Sequence, residues 1–271
     1  MKSRLISSRD NPLYKELKQL ASSSQARRKA GRTVLDGIHL CEAYLQSAGM
    51  PLICVVSQSS MENREAARIV AACEAGNAQC ILLPDVLYQS LSQVENGIGL
   101  SFIVETPVVR GPHELKRSAV LLDRLQDPGN LGSILRSAAA AGVKDVFCAP
   151  GTVHAWSPKV LRAGMGAHFL LRIVEEADLA SLIETSAVPV LATSSHASMS
   201  VYDADLRGDM AWIFGHEGQG ADEALLARAT HRVSIPHLGK VESLNVAASA
   251  AVCLFEQVRQ KTSIDTSSSR S

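Results

Sequence analysis

The carboxyl-terminal half of the chain contains three polar, glycine-containing turns, and each turn follows a short run of apolar residues. These segments span residues 123–143, 213–226 and 233–256, and each continues into a stretch with helical periodicity. Apolar runs without polar interruption are typical of parallel strands that are covered on both faces. Strands that alternate with helices therefore predict an α/β domain built on a parallel sheet.

The chain has 271 residues, which fits one large domain or two ordinary ones, and its hydrophobic fraction of 46% is ample for a core. A smaller α/β unit is predicted over residues 1–106, where helix-like and strand-like segments alternate. Two prolines and a glycine predict a linker over residues 107–117, and the second domain follows over residues 118–260. The polar tail, residues 261–271, is expected to be disordered.

Several classes of protein are disfavoured by the sequence. No apolar run reaches the roughly 18 residues that a membrane-spanning helix needs. The amino-terminal residues are polar and interrupted by Pro12, so they do not resemble a secretory signal. The six cysteines form no C-x-x-C pair, and the eight histidines form no H-E-x-x-H motif. We therefore expect reduced cysteines, a cytoplasmic location and no bound metal.

The formal net charge of zero hides a basic amino-terminal end. Residues 1–32 hold nine Lys or Arg against two acidic residues, which leaves the remainder of the chain with a net charge of −7. Such a distribution indicates a surface that binds a polyanion, although a solvated helix face would give the same composition. If phosphates bind there, the expected contacts are Arg27, Arg28, Lys29 and Arg32.

The first turn connects an apolar strand to a helix predicted over residues 131–141. Asn130 stands at the expected N-cap of that helix, and Arg136 is offset from its inward-facing apolar stripe. Capping and solvent exposure would explain these two residues without any function. A helix that begins directly after a strand is nevertheless a natural site for an anion or a nucleotide.

The second turn, residues 215–220, has three glycines in six residues, which allow the backbone to approach a flat ligand closely. The glycine order differs from that of the dinucleotide-binding fingerprint, and the chain has no phosphate-loop motif either. A simple connection between a strand and a helix would explain the glycines. Glu217, however, is an acid without an evident partner in the sequence, and we expect it to meet a ligand or a partner.

The third turn leads into a helix that Ser243 or a neighbouring residue is expected to cap, with Asn245 in the first turn. Capping alone would account for both side chains. The stretch over residues 247–251 consists only of Ala and Ser. It therefore permits close packing against another backbone, such as that of a second subunit.

The three segments together resemble the SpoU (TrmH-like) family of RNA ribose 2′-O-methyltransferases. The likeness rests on N-x-G-x-x-x-R over residues 130–136, G-x-E-G-x-G over residues 215–220 and S-I-P-x-x-G-x-x-x-S-L-N-V over residues 234–246. The amino-terminal unit is more loosely similar to the L30e-like RNA-binding domain that precedes the catalytic domain in many bacterial members. Its similar features are the segment S-x-x-N-P-L-Y-K-E-L-K-Q-L, the cluster R-R-K-A-G-R and the turn T-V-L-D-G-I-H-L.

This resemblance implies a SPOUT-type α/β domain tied in a deep trefoil knot, with S-adenosylmethionine as the cofactor and a homodimer as the assembly. The implied reaction is an in-line displacement in which a ribose 2′-hydroxyl attacks the sulfonium methyl group, and it requires no metal. The implied substrate is structured RNA, with 23S rRNA favoured because the amino-terminal unit resembles those of rRNA-modifying members. A tRNA substrate is the alternative.

The resemblance also assigns roles to individual residues. Five polar residues fall on the family's catalytic positions, namely Asn130, Arg136, Glu217, Ser243 and Asn245. The implied cofactor-binding residues are Thr193, Ser194, Gly215, Glu217, Gly218, Ile235, His237 and Leu244. Arg136 is expected to clamp an RNA phosphate and to stabilise the developing alkoxide, because a guanidinium is a poor proton acceptor.

Two residues depart from the family pattern. His237 replaces a common methionine, so packing in the cofactor site is expected to differ, and Asp36 replaces a common glutamate in the amino-terminal unit.

A catalytically silent RNA-binding protein of the same fold is a second interpretation, which the five intact polar residues disfavour. A nucleotide-binding enzyme of another chemistry is a third, which the absent dinucleotide and phosphate-loop motifs disfavour.

Overall fold

The computed structural model describes residues 3–92, 97–241 and 243–268, with side chains described up to residue 263. The chain divides into two compact units. The amino-terminal unit comprises residues 1–107 together with residues 156–169, and the carboxyl-terminal unit comprises residues 108–155 and 170–271. The break at residue 107 lies at the predicted linker.

Strands and helices alternate along both units. The strands are β1 (Arg4–Leu5), β2 (Arg32–Asp36), β3 (Ile53–Ser57), β4 (Gln79–Leu83), β5 (Leu100–Glu105), β6 (Ala119–Leu122), β7 (Asp145–Cys148), β8 (Arg172–Val174), β9 (Val190–Thr193), β10 (Met199–Ser200), β11 (Ala211–Phe214) and β12 (His231–Ser234). The α-helices are α1 (Pro12–Ser22), α2 (Ser24–Ala30), α3 (Ile38–Ser47), α4 (Arg64–Ala75), α5 (Asp85–Gln89), α6 (Pro128–Ala140), α7 (Pro158–Gly164), α8 (Leu179–Glu184), α9 (Glu223–Arg228) and α10 (Val246–Ser268).

The amino-terminal unit is built on a five-stranded mixed sheet with the order β1-β4-β3-β5-β2. Strand β5 is antiparallel to its neighbours β2 and β3, whereas β4 is parallel to β1 and β3. Helix α1 buries Tyr14, Leu17 and Leu20, which recur at helical spacing, against Val55 and Ile81 of the sheet. The smaller α/β unit predicted for this part of the chain is therefore present.

Residues 156–169, which the sequence placed within the second domain, pack with the amino-terminal unit. The buried Thr33 hydroxyl of β2 donates a hydrogen bond to the Trp156 carbonyl oxygen at 2.7 Å. The ring of Phe169 meets the edge of Tyr44 with centroids 5.3 Å apart. These long-range contacts have no signature in local sequence, which is why the predicted domain bounds treat the segment differently.

The carboxyl-terminal unit contains a seven-stranded sheet with the order β10-β12-β9-β11-β6-β7-β8. Every recorded strand pair in it is parallel. Alternate residues of β6 and β11, such as Leu121 and Ile213, face a core that also contains Leu182 of α8 and Leu225 of α9. Trp212, between them in sequence, donates to Gln257 of α10 at 3.0 Å. Both faces are covered, which confirms the predicted parallel α/β architecture.

Parallel strand direction brings distant residues to one edge of this sheet. Asp123 follows β6, Thr193 ends β9, Gly215 follows β11 and Ile235 follows β12. Because the carboxyl ends of parallel strands lie on the same side, these four positions meet at one edge, where open α/β sheets bind their ligands. The trefoil knot implied by the resemblance stays a prediction.

The last helix corrects the predicted tail. Helix α10 continues to Ser268, so residues 261–268 are helical rather than disordered, and residues 269–271 lie outside the described part. Lys261 anchors this extension, because its Nζ contacts the carboxylate of Asp209 at 3.1 Å and the hydroxyl of Ser118 at 3.3 Å.

Among the residues described, no helix has both the length and the apolar character that crossing a membrane requires.

Candidate active site

The glycine turn after β11 folds back on itself. The N–H of Gly220 donates to the His216 carbonyl oxygen at 2.8 Å, and Gly220 has a φ of 73°. The Nδ1 atom of His216 accepts from the backbone N–H of Gly218 at 3.0 Å. A Cβ atom at Gly215 would collide with the backbone of Gly220 and Ala221. Glycine is therefore required at residue 215 by close backbone approach and favoured at residue 220 by its conformation.

This turn holds Glu217 against the loop that follows β6. One carboxylate oxygen accepts hydrogen bonds from the backbone N–H of Asp127 at 3.0 Å and from Nδ2 of Asn130 at 3.1 Å. The other accepts from the backbone N–H of Gln126 at 3.2 Å. Glu217, which had no evident partner in the sequence, therefore has three within the chain, because its carboxylate accepts from Gln126, Asp127 and Asn130.

The electrostatics of Glu217 follow from these contacts. Burial by itself raises the pKa of Glu217, but the hydrogen bonds from Asn130 and from the backbone N–H groups of Asp127 and Gln126 outweigh it. The pKa therefore lies below its ordinary value. A carboxylate that is already engaged and weakly basic is poorly suited to remove a proton, and its hydrogen bonds hold the loop after β6 in place.

Asn130 links Glu217 to the third segment. While its Nδ2 donates to Glu217, its Oδ1 accepts from Nδ2 of Asn245 at 2.9 Å. The Oδ1 of Asn245 in turn accepts from the backbone N–H groups of Ala247 at 2.9 Å and Ala248 at 3.3 Å. The three side chains form a continuous hydrogen-bonded chain, here called the Glu217–Asn130–Asn245 relay. It joins three segments that are far apart in sequence.

Two helix caps differ from the prediction. Helix α6 begins at Pro128, three residues before its predicted start, and Asp127 is its N-cap, accepting from the N–H of Asn130 at 2.7 Å. An aspartate before a proline is a strong helix start, so Asn130 lies in the first turn instead. Asn245 itself caps α10, rather than Ser243, and Ser243 remains exposed.

A cavity of about 410 Å³ opens beside the relay at the same edge of the sheet. It is lined by backbone of the glycine turn, by the end of β9 and by the loop after β12. All eight residues expected to bind the cofactor line it, and so does Ser243: Thr193, Ser194, Gly215, Glu217, Gly218, Ile235, His237, Leu244 and Ser243. Glu217 belongs to both the cavity and the relay, so the two features form one site.

Arg136 lies apart from these groups. It is exposed on α6 and makes no hydrogen bond or ion pair with any residue in the described ranges. An unpaired guanidinium six residues beyond Asn130 is available to a large ligand that extends past the cavity. The structure thus unites Asn130, Glu217 and Asn245, places Ser243 in the cavity lining, and shows Arg136 without a partner in the described part of the chain.

The sequence interpretation missed Asp123 and Arg124. Asp123 is buried and accepts from the N–H of Asp222 at 2.8 Å, and from Nε of Arg124 at 3.1 Å. Arg124 has a φ of 54°, which is unusual for a residue with a side chain. This carboxylate ties the first turn to the start of α9. The available signal was an acidic residue placed directly after a buried strand.

The basic cluster of the amino-terminal unit divides into two kinds of residue. Arg27, expected to contact RNA, is buried and donates to the carbonyl oxygens of Leu20 at 2.8 Å and Ala21 at 3.4 Å. Burial, and then the nearby Arg28, lower the pKa of Arg27. Its role is to bind the carboxyl end of α1, so the expectation for Arg27 is corrected.

The other basic residues remain at the surface. Arg28 and Lys29 are exposed, and Arg32 pairs with Glu16 at 2.9 Å. Asp36, which departs from the family pattern, has its carboxylate largely buried, where it accepts from the hydroxyls of Ser92 at 2.8 Å and Ser101 at 3.1 Å. Asp36 therefore stabilises the interior of this unit.

The lowered pKa of Glu217 gives the site a predictable pH dependence. The pKa of Glu217 is lower in the folded protein than in the unfolded chain, so its hydrogen bonds stabilise the folded turn fully above the ordinary carboxyl pKa. This stabilisation is lost as pH falls through the pKa of Glu217 in the folded protein. We predict that hydrogen-exchange protection factors for the amides of Gln126 and Asp127 fall over that acidic range. Glu217→Gln should lack this transition. Identical pH profiles for the native chain and the variant would contradict the assignment.

Known proteins are similar to this chain over most of its length. A model of the SpoU rRNA Methylase family matches residues 117–255. An uncharacterized tRNA/rRNA methyltransferase of Synechocystis sp. is 35% identical over 260 residues, which cover 94% of each chain. The 23S rRNA (guanosine(2553)-2′-O)-methyltransferase RlmP of Bacillus subtilis is 30% identical over 253 residues, covering 92% of this chain and 97% of its own.

A solved structure is similar over the full length. The crystal structure of an RNA 2′-O ribose methyltransferase has a TM-score of 0.81 and 32% identity, and the match covers 96% of this chain and 100% of that one. The resemblance inferred from the three polar segments is confirmed, since family model, relatives and structure all agree. This chain belongs to the SpoU rRNA methylase family.

Proposed function

We propose that this chain transfers the methyl group of S-adenosylmethionine to a ribose 2′-hydroxyl of ribosomal RNA, with 23S rRNA as the expected substrate. The observation that carries the proposal is the single site formed by the Glu217–Asn130–Asn245 relay and the adjoining cavity. The Bacillus subtilis relative, whose name gives the same reaction on 23S rRNA, matches nearly the whole chain. The six free, buried cysteines suit a reducing compartment such as the cytoplasm.

The cavity suits a nucleoside-containing cofactor. Its lining combines the hydroxyl groups of Thr193 and Ser194, the apolar side chains of Ile235 and Leu244, and the backbone of the glycine turn. Sites for such ligands combine apolar contacts with placed polar groups, and this lining supplies both, with polar residues outnumbering apolar ones. His237, which departs from the family pattern, lies half-buried in this lining and brings an imidazole where a thioether is common.

The chain's own groups would orient the reacting oxygen and stabilise its charge. When bound, S-adenosylmethionine supplies an electrophilic methyl group. The relay fixes the amide of Asn130 at both ends, so the first turn of α6 is rigid next to the cavity. Arg136, which is exposed on the same helix, would clamp an RNA phosphate and stabilise the developing alkoxide. The hydroxyl proton would pass to a phosphate oxygen or to water.

The amino-terminal unit would hold the RNA through its exposed basic residues. Arg28 and Lys29 lie at the carboxyl end of α2 without a partner among the described residues, which leaves their charges available to phosphates.

We also infer a homodimer. Helix α10 leaves Phe255 47% exposed, and the preceding loop leaves Leu244 38% exposed, on either side of the Ala and Ser stretch over residues 247–251. Apolar groups beside small residues suit close packing with a second copy. Light scattering should give twice the chain mass of 28.9 kDa, and a mass equal to one chain would refute the dimer.

The function is tested by methyl transfer to natural RNA. Labelled S-adenosylmethionine is incubated with the protein and total RNA from a strain that lacks this gene, and the ribosomal and transfer fractions are then separated. Label in the ribosomal fraction is the expected result, and label only in the transfer fraction would correct the substrate. If neither fraction is labelled and the protein does not bind S-adenosylmethionine, the proposed reaction is refuted. The second interpretation, an RNA-binding protein of the same fold, would then hold.

The cofactor site is tested at Gly215. In Gly215→Ala the added Cβ would collide with backbone, so the glycine turn must shift, and we predict that Kd for S-adenosylmethionine rises about tenfold or more. Gly208→Ala is the matched control, because a Cβ at Gly208 meets nothing within 4 Å. Calorimetric titration measures both variants. Equal affinities in the two would place the cofactor elsewhere.

The clamp is tested at Arg136. Arg136→Lys keeps the charge but removes the planar fork, so we predict that kcat falls about 100-fold, as when one transition-state donor is lost. Affinity for S-adenosylmethionine should not change, because Arg136 is absent from the cavity lining. Arg207→Lys, at an exposed arginine paired with Asp205, is the control. Near-normal turnover in Arg136→Lys would refute the clamp.

A further inference from the structure

A second cavity, of about 500 Å³, lies within the carboxyl-terminal unit. Its lining includes Arg117, Asp145 and Arg172, together with residues 112–116 and Phe147. Asp145 and Arg172 are the first residues of β7 and β8, and Arg117 precedes β6 by two positions. These are the amino ends of parallel strands, whereas the candidate active site lies at their carboxyl ends. The two edges are about 13 Å apart, which is the length of one four-residue strand.

The three charged residues form a fixed arrangement. The Asp145 side chain is 4% exposed, and its two oxygens accept from Nε of Arg117 at 2.6 Å and from Nε of Arg172 at 2.7 Å. The arginine side chains are 56% and 38% exposed. One buried carboxylate thus holds two guanidinium groups side by side. Here they are called the arginine pair.

The arginine pair has donors to spare. Each guanidinium uses only its Nε–H within the chain, so the Nη groups of Arg117 and Arg172 have no hydrogen-bond partner among the described residues. Each guanidinium therefore retains four N–H donors in a planar arrangement. Two guanidinium groups held in place beside one cavity are suited to bind the oxygens of a single anionic group.

The charge balance also favours an anion. Two guanidinium groups on one carboxylate leave a surplus of one positive charge. Lys116, which also lines the cavity, is neutralised by Glu114 at 3.0 Å. Asp209, which acts electrostatically on Arg117, is paired with Lys261 at 3.1 Å. A phosphodiester carries one negative charge and would match the surplus.

We propose that the arginine pair is a binding site for a backbone phosphate of RNA, separate from the methyl-transfer site and at the opposite edge of the same sheet. This inference rests on the proposed function, because a structured RNA is the polyanion that function supplies. Such an RNA is longer than the active-site cavity, so phosphates beyond the target nucleotide can meet a second edge of the protein. The pair would set the direction in which the RNA runs.

The direct test follows the arginine side chains by NMR in the full chain. Addition of inorganic pyrophosphate, and then of a short mixed-sequence single-stranded RNA, should shift the Nε–H signals of Arg117 and Arg172. The signal of Arg207 should stay in place, because both its Nε and its Nη2 already donate to Asp205. This measurement needs a variant only to assign the signals, so it does not depend on whether a substitution unfolds the protein.

The functional test compares RNA binding by matched variants. Arg117→Gln and Arg172→Gln should each raise Kd for the same RNA about tenfold, the cost of losing hydrogen bonds to a charged group. Each should also reduce the slope of log Kd against log salt by about one. Arg207→Gln removes the same charge elsewhere on this unit and should change neither quantity.

The outcomes separate this site from the proposed function. If the native chain methylates RNA but all three variants bind RNA alike, the arginine pair only neutralises Asp145 and the inference falls alone. If the arginine signals move with a poly-glutamate peptide but not with RNA or pyrophosphate, the site serves an acidic protein and the proposal is overturned. Arginine-dependent RNA binding without methyl transfer would uphold the site and refute the proposed function.

Discussion

The carboxylate of Glu217 is the interaction on which the candidate active site depends. It accepts two hydrogen bonds from the loop after β6 and one from Asn130 in the first turn of α6, and through Asn130 it reaches Asn245 at the start of α10. Each hydrogen bond of this group joins two different segments, so the segments are held in place together. One carboxylate therefore fixes three chain segments, of which the first and the last are 115 residues apart in sequence.

The parallel sheet explains why these segments can meet. Helices cover both of its faces, so the central strands β6 and β11 are apolar throughout and polar residues follow them at their ends. One edge carries the cofactor-sized cavity, and the opposite edge carries Arg117, Asp145 and Arg172. A sheet of this kind offers two separate polar surfaces joined by a rigid core. An extended RNA could engage both of them.

Much of this arrangement was predictable because it follows from local pattern. Apolar strands and glycine turns predicted the parallel sheet, whereas the eight expected cofactor residues, all of which line one cavity, were named only through the family resemblance. The helix starts were less predictable, since Asp127 and Asn245 compete with nearby polar residues for the same backbone donors. Arg27 could not be judged from composition, because only the packed structure shows that it binds the end of α1. Likewise, an ion pair with Asp209 orders the helix around Lys261.

The most direct test of the account is a double-mutant cycle on the relay. Glu217→Gln removes the carboxylate, while Asn245→Ser removes the amide that contacts Asn130 and retains a good helix cap. The quantity measured is kcat/KM for methyl transfer from S-adenosylmethionine to ribosomal RNA. If the relay acts as one unit, the double variant loses little more activity than the worse single variant. If the loss of kcat/KM in the double variant equals the product of the two single losses, the account is contradicted, because Glu217 and Asn245 would then act separately.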